Sequence, residues 1–156
     1  MVKYHPDARF LTDFTAGSLP KSQALCVSAH LHYCQSCRVK VRELTELGTE
    51  LFVQQQPTEV TEEAFDRLLT RIQTQPVQAA DSVRPATAAT VLPHAINKLT
   101  RGNPDNLKWR KLGRSFRLSY LKLGDPQRET TLLHIRAGGH VPHHKHAGDE
   151  ITVILK

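Results

Sequence analysis

A chain of 156 residues, 39% hydrophobic and 23% charged, has room for one compact domain or two very small ones. No apolar h-region opens the sequence and no apolar run approaches bilayer length, so neither a signal peptide nor a membrane span is expected and the chain reads as cytoplasmic. The net charge of +6 is segregated: residues 1–75 carry eight Lys/Arg against nine Asp/Glu, and residues 94–156 carry twelve against five. That asymmetry suggests two units with different partners.

The elements follow in chain order. "HPDARFLTDFTAGSLP" reads as a short helix, with Pro6 and Asp7 at its start, Phe10, Leu11 and Phe14 at helical spacing, and Gly17 as its stop. A second helix is expected from Pro20–Lys21 through Ala24, Leu25 and Ala29 toward Tyr33. A third runs from about Cys37 to Gln55, with Val41, Leu44, Leu47 and Leu51 on one stripe. Continuity through Cys34–Ser36 is open, and Ser36 is placed to cap a new helix.

Between the second and third helices lies "HLHYCQSC", residues 30–37. In a cytoplasmic chain a close pair of cysteines points to metal or redox chemistry rather than a structural bridge. His30, Cys34 and Cys37 form H-x3-C-x2-C. On one helix they share a face about 60° wide, and across a turn they still converge. One imidazole and two thiolates suit zinc, which takes four N or S donors. The fourth donor is His5 if the first helix packs antiparallel to the second. Cys26, one turn before His30, is the alternative and otherwise reads as a small buried residue. A redox C-x2-C of thioredoxin kind belongs in a βαβ setting, and this one lies among helices. His32 reads as solvated.

"PTEVTEEAFDRLLTRIQ" is a fourth helix, capped by Thr61, with Phe65, Leu68, Leu69 and Ile72 on one apolar face. Gln75–Pro93, with three prolines and many Ala and Thr, reads as a linker. Beyond it the period changes from 3.6 to 2. "SFRLSY" alternates Phe116, Leu118 and Tyr120, "GDP" at 124–126 signals a turn, and "TTLLHIRA" and "EITVILK" read as strands. The fold class is α+β: a helical unit over 1–75, a linker over 76–93 and a β unit over 94–156. Lys98–Arg117 holds seven Lys/Arg and one Asp with Trp109 and Phe116 interleaved. It is compatible with phosphate contacts, but no nucleic-acid motif accompanies it and it reads as a solvated basic face.

"YHPDARFLTDFTAGSLP…HLHYCQSCR", over roughly residues 4–75, resembles the anti-sigma domain of ChrR-type zinc-binding anti-sigma factors. The resemblance implies a small helical domain in which His5, His30, Cys34 and Cys37 carry structural zinc. It implies a 1:1 complex that keeps an extracytoplasmic-function (ECF) sigma factor from RNA polymerase, with no membrane or direct DNA contact and no catalysis. The separate fourth helix would present Phe65, Leu68, Leu69 and Ile72 to a groove on that partner. Family likeness also suggests a response to singlet oxygen or organic peroxides, sensed partly through the family's cupin; separately, oxidation of the two thiolates would release zinc.

The tail "GGHVPHHKHAGDEITVILK" places His144, His146 and Glu150 in H-x-H-x3-E, with Gly138 six residues ahead. On a strand the two imidazoles face one side, and a turn can return Glu150 to them. This donor set suits a second divalent metal. The pattern is similar to the first cupin motif; the second motif and its histidine are not in the sequence. The β unit is therefore expected as an incomplete cupin, partly disordered or completed by another chain. A cupin-type metalloenzyme, a dioxygenase or isomerase with its metal on His144, His146 and Glu150, is the alternative function.

Overall fold

In the computed structural model of the chain, residues 2–76, 92–141, 143–146 and 148–155 are described. Three helices form the first unit: α1 (Ala8–Thr15), α2 (Lys21–Tyr33) and α3 (Gln35–Val53). Asp7 is the N-cap of α1, and its carboxylate accepts the Phe10 N–H at 2.9 Å. That bond satisfies one of the N–H groups a helix start leaves unpaired. Gly17, at φ +71°, takes the left-handed turn that ends the helix.

The question of continuity has a definite answer. Cys34 adopts extended dihedrals (φ −108°, ψ 104°), so α2 ends there and α3 begins one residue later. The expectation that Ser36 caps the third helix is corrected. Cys34 is the cap residue, and Ser36 sits inside the first turn with its hydroxyl 3.1 Å from the Cys34 sulfur.

Leu11, Val27, Cys34 and Cys37 are the buried centre, flanked by Phe10, Phe14, Leu19, Leu31, Val41 and Leu44. The α3 stripe is only half used: Leu47 and Leu51 are exposed. Length explains this. An eight-residue α1 spans about 12 Å, whereas the nineteen residues of α3 span about 28 Å, so α3 outruns its cover.

α4 (Glu62–Thr74) is capped by Thr61, which accepts the Ala64 N–H at 3.3 Å. It packs against no other described helix or strand, so its helicity rests on local terms alone, which leave a helix this short marginal. Thr61→Ala removes a cap worth about 1 kcal/mol. Amide exchange across α4 should accelerate roughly fivefold, with α1–α3 unchanged; equal rates would show that α4 is held by something other than its cap.

The second unit opens with a helix that the sequence reading did not foresee, α5 (His94–Thr100). Its signals were present. Pro93 precedes it, Ile96 and Thr100 lie one turn apart and are buried, and Gly102 follows. The Gly102 N–H closes onto the Asn97 carbonyl at 2.8 Å while Arg101 takes φ +52°, a Schellman-type ending. α5 packs on α2. Ser22 of α2 also donates a 2.9 Å hydrogen bond to Asp125 in the expected GDP turn. α2 is therefore packed on two sides: Val27 and Leu31 belong to the core with α1 and α3, and Ser22 faces the second unit. Most of the expected linker, residues 77–91, lies outside the described residues.

Strands β1 (Arg110–Leu112), β2 (Phe116–Tyr120) and β3 (Thr131–Ile135) form an antiparallel sheet in that order. Leu118 stands opposite Arg110 on one side and Leu133 on the other. The alternation in β2 is not the simple one expected: Tyr120 is exposed and Ser119 is buried. Both faces are partly covered, because Arg117 lies over the Trp109 ring at 4.5 Å. A further correction concerns "EITVILK". Residues 150–155 are in no strand, since an apolar alternation becomes a strand only when another strand's backbone pairs with it.

Candidate metal centre

Three elements bring one donor set together. His30 sits in the last turn of α2, Cys34 at the α2–α3 junction and Cys37 in the first turn of α3, while His5 lies just before α1. The donor atoms of these four residues all lie within 4.8 Å of one another. His5 Nδ1 is 3.3 Å from Cys34 Sγ and 3.4 Å from Cys37 Sγ, and His30 Nε2 is 3.3 Å from Cys37 Sγ. The His5 and His30 rings meet edge to face, 5.6 Å apart. Tetrahedral zinc with bonds of about 2.0–2.3 Å holds its donors roughly 3.5 Å apart, and these separations fit. His30, Cys34 and Cys37 are buried and His5 is exposed. The group could hold a metal ion. Cys26 is not part of it; it is a half-buried thiol whose pKa is raised by burial.

The break at Cys34 does chemical work. Burial by itself raises the Cys34 pKa, but hydrogen bonds from Ser36, from the backbone and thiol of Cys37, and from His30 outweigh it and bring the value to about 6. The N-terminal end of α3 favours a thiolate in the same sense. Cys37 is pushed the other way, by burial and then by its hydrogen bond and charge interaction with Cys34, against a weaker pull from Lys40. At neutral pH the metal-free pair is thus one thiolate and one thiol, so a metal meets one donor already ionised and displaces one proton from the other.

The second expected group also converges. His144, His146 and Glu150 place their donor atoms within 4.8 Å of one another, all exposed. His146 Nε2 and Glu150 Oε2 are 2.7 Å apart, and the His144 and His146 rings are 4.4 Å apart. The expected strand beneath them is not there; a loop carries them. A shallow cleft of about 590 Å³ between Tyr120 and Thr130 contains none of the three.

Phe65, Leu68, Leu69 and Ile72 are exposed along α4. In the basic stretch, Trp109 is committed internally: its indole N–H donates to the Pro104 carbonyl at 2.9 Å, Arg117 covers its face, and His134 meets it edge to face at 6.4 Å. It is not a free platform for stacking a base. No helix among the described residues is long and apolar enough to cross a membrane.

The chain thus combines a short helical unit holding a His2Cys2 group, an amphipathic helix that packs against no other described element, and an antiparallel sheet. No known protein-family profile matches the chain. It is similar to the anti-sigma-E factor ChrR of Cereibacter sphaeroides, at 28% identity over 99% of this chain and 71% of that protein. It is similar in structure to a chain in the crystal structure of Rhodobacter sphaeroides SigE in complex with the anti-sigma ChrR. That likeness has a TM-score of 0.71 and 25% identity, over 95% of this chain and 73% of that one.

Proposed function

We propose that this chain is a cytoplasmic, non-enzymatic anti-sigma factor that binds an ECF-family sigma factor one to one and keeps it from RNA polymerase. The observation that carries the reading is the structural likeness, over 95% of the chain, to one chain in the crystal structure of a sigma factor in complex with its anti-sigma. The site chemistry agrees with it. His5, His30, Cys34 and Cys37 hold zinc in this reading, because two thiolates and two imidazoles are the donor set of closed structural zinc sites. The metal ties the start of α1 to the α2–α3 junction and so fixes three short helices into one surface. α4, which packs against no other described element, supplies the apolar face of Phe65, Leu68, Leu69 and Ile72 for a groove on the partner.

His144, His146 and Glu150 are a second divalent-metal site in the same proposal, open to solvent and accordingly weaker. Their exposure disfavours the cupin-enzyme alternative, since catalytic metals sit in shaped, water-excluding cavities. Thiolate oxidation at Cys34 is the route by which a stress signal reaches the zinc in this reading.

The test is co-expression with the ECF sigma factor encoded beside this chain. The expected result is a stoichiometric complex that no longer binds RNA polymerase core. Free sigma factor, active in transcription with the chain present in excess, would overturn the proposal.

A further inference from the structure

From Glu43 to Asp66 the chain carries seven carboxylates and no Lys, Arg or His. Every residue from Thr45 to Glu63 is exposed. Among them stand Leu47, Leu51, Phe52, Val53 and Val60, with Phe52 77% and Val53 74% exposed. Among the described residues, none of the seven carboxylates has an ion-pair or side-chain hydrogen-bond partner. Single exposed apolar residues need no explanation, but a run of them on a helix that outlasts its own core does.

We infer that the C-terminal half of α3, residues 54–61 and α4 form one continuous docking arm, whose occupant is an apolar surface of the sigma factor rimmed by Lys and Arg. The inference rests on the anti-sigma reading and extends it, since that reading asks only α4 to touch the partner. Charge selects the occupant. A promoter-binding factor meets phosphate through basic faces, and an arm with seven unpaired carboxylates complements such a face. Opposed charges of this kind steer encounter and register, while the apolar residues between them hold the complex once formed. The chain's own basic second unit offers the same sign of charge, but neither α3 nor α4 packs against α5 or the sheet.

The experiment uses the full chain and the co-expressed sigma factor, with association followed by stopped flow at ~50 mM and ~500 mM salt. Glu43→Gln, Glu46→Gln, Glu50→Gln and Glu59→Gln are combined; all four side chains are exposed, and circular dichroism checks that the fold is kept. At low salt the variant should associate about tenfold or more slowly than the parent, with the gap closing at high salt. Leu51→Ser with Phe52→Ser should weaken the complex about tenfold or more, mainly by faster dissociation. Parental rates in both variants at both salts would overturn the arm while leaving the anti-sigma function standing. Faster association of the Gln variant would overturn it differently, by showing that the carboxylates are engaged by the chain's own basic half. No complex with the unaltered chain would remove the function and the arm together.

Discussion

Stripping the metal, by chelation or by Cys34→Ser with Cys37→Ser, is expected to unfold α1–α3 and abolish sigma binding. The reasoning is quantitative. A structural zinc contributes apparent folding free energy on the order of 10 kcal/mol. A single domain of this size has a total stability of about 5–15 kcal/mol. The buried hydrophobic cluster of the helical unit is Leu11 and Val27 with the two cysteines themselves, so half of that cluster is candidate metal ligand. Without the ion, Cys34 and Cys37 place an ionised sulfur and its neighbours in a desolvated site, compensated mainly by hydrogen bonds. Loss of the helical circular dichroism of α1–α3, together with loss of the complex, is the measurement. Cys26→Ser is the control, expected to keep both metal and fold because Cys26 lies outside the donor group. A chain that stays folded and inhibitory after chelation would refute the structural role of the site.

The second large effect concerns binding without folding. Phe65→Ala combined with Leu69→Ala should raise the dissociation constant for the sigma factor by about 10²–10³-fold, taking roughly 2 kcal/mol for each anchor. Helix content should not change, because both side chains are exposed and α4 packs against no other described element. Titration calorimetry of the purified complex decides it. A change below about threefold would move the partner surface away from α4. The two experiments thus separate what makes the helical unit fold from what it holds on to.

The sequence showed the helical half more fully than the β half, and the reason is physical. Local signals set α1 and α4: Asp7 and Thr61 are caps, and the apolar positions recur at helical spacing. The group that could hold a metal was legible because the spacing of His30, Cys34 and Cys37 is itself a short-range pattern, and only His5 lies far from the others in sequence. Tertiary context decided the rest. Nothing local distinguishes Leu44, which packs, from Leu47, which does not; the short length of α1 makes the difference. α5 was hidden because seven residues carry little periodicity, and its stability comes from lying on α2. "EITVILK" shows the converse, a strong strand pattern without a paired edge.

α2 bears on both halves at once. One end of it carries His30, and near the other end Ser22 reaches Asp125 while α5 lies along the helix. Two equilibria therefore share a rigid rod thirteen residues long. By thermodynamic reciprocity, whatever factor metal loading applies to the docking of the second unit, that docking applies to metal affinity. With zinc on the His2Cys2 group, a ligand or lesion in the C-terminal half that shifts Asp125 or α5 would change how tightly the distant thiolates hold it, with no contact between the two sites.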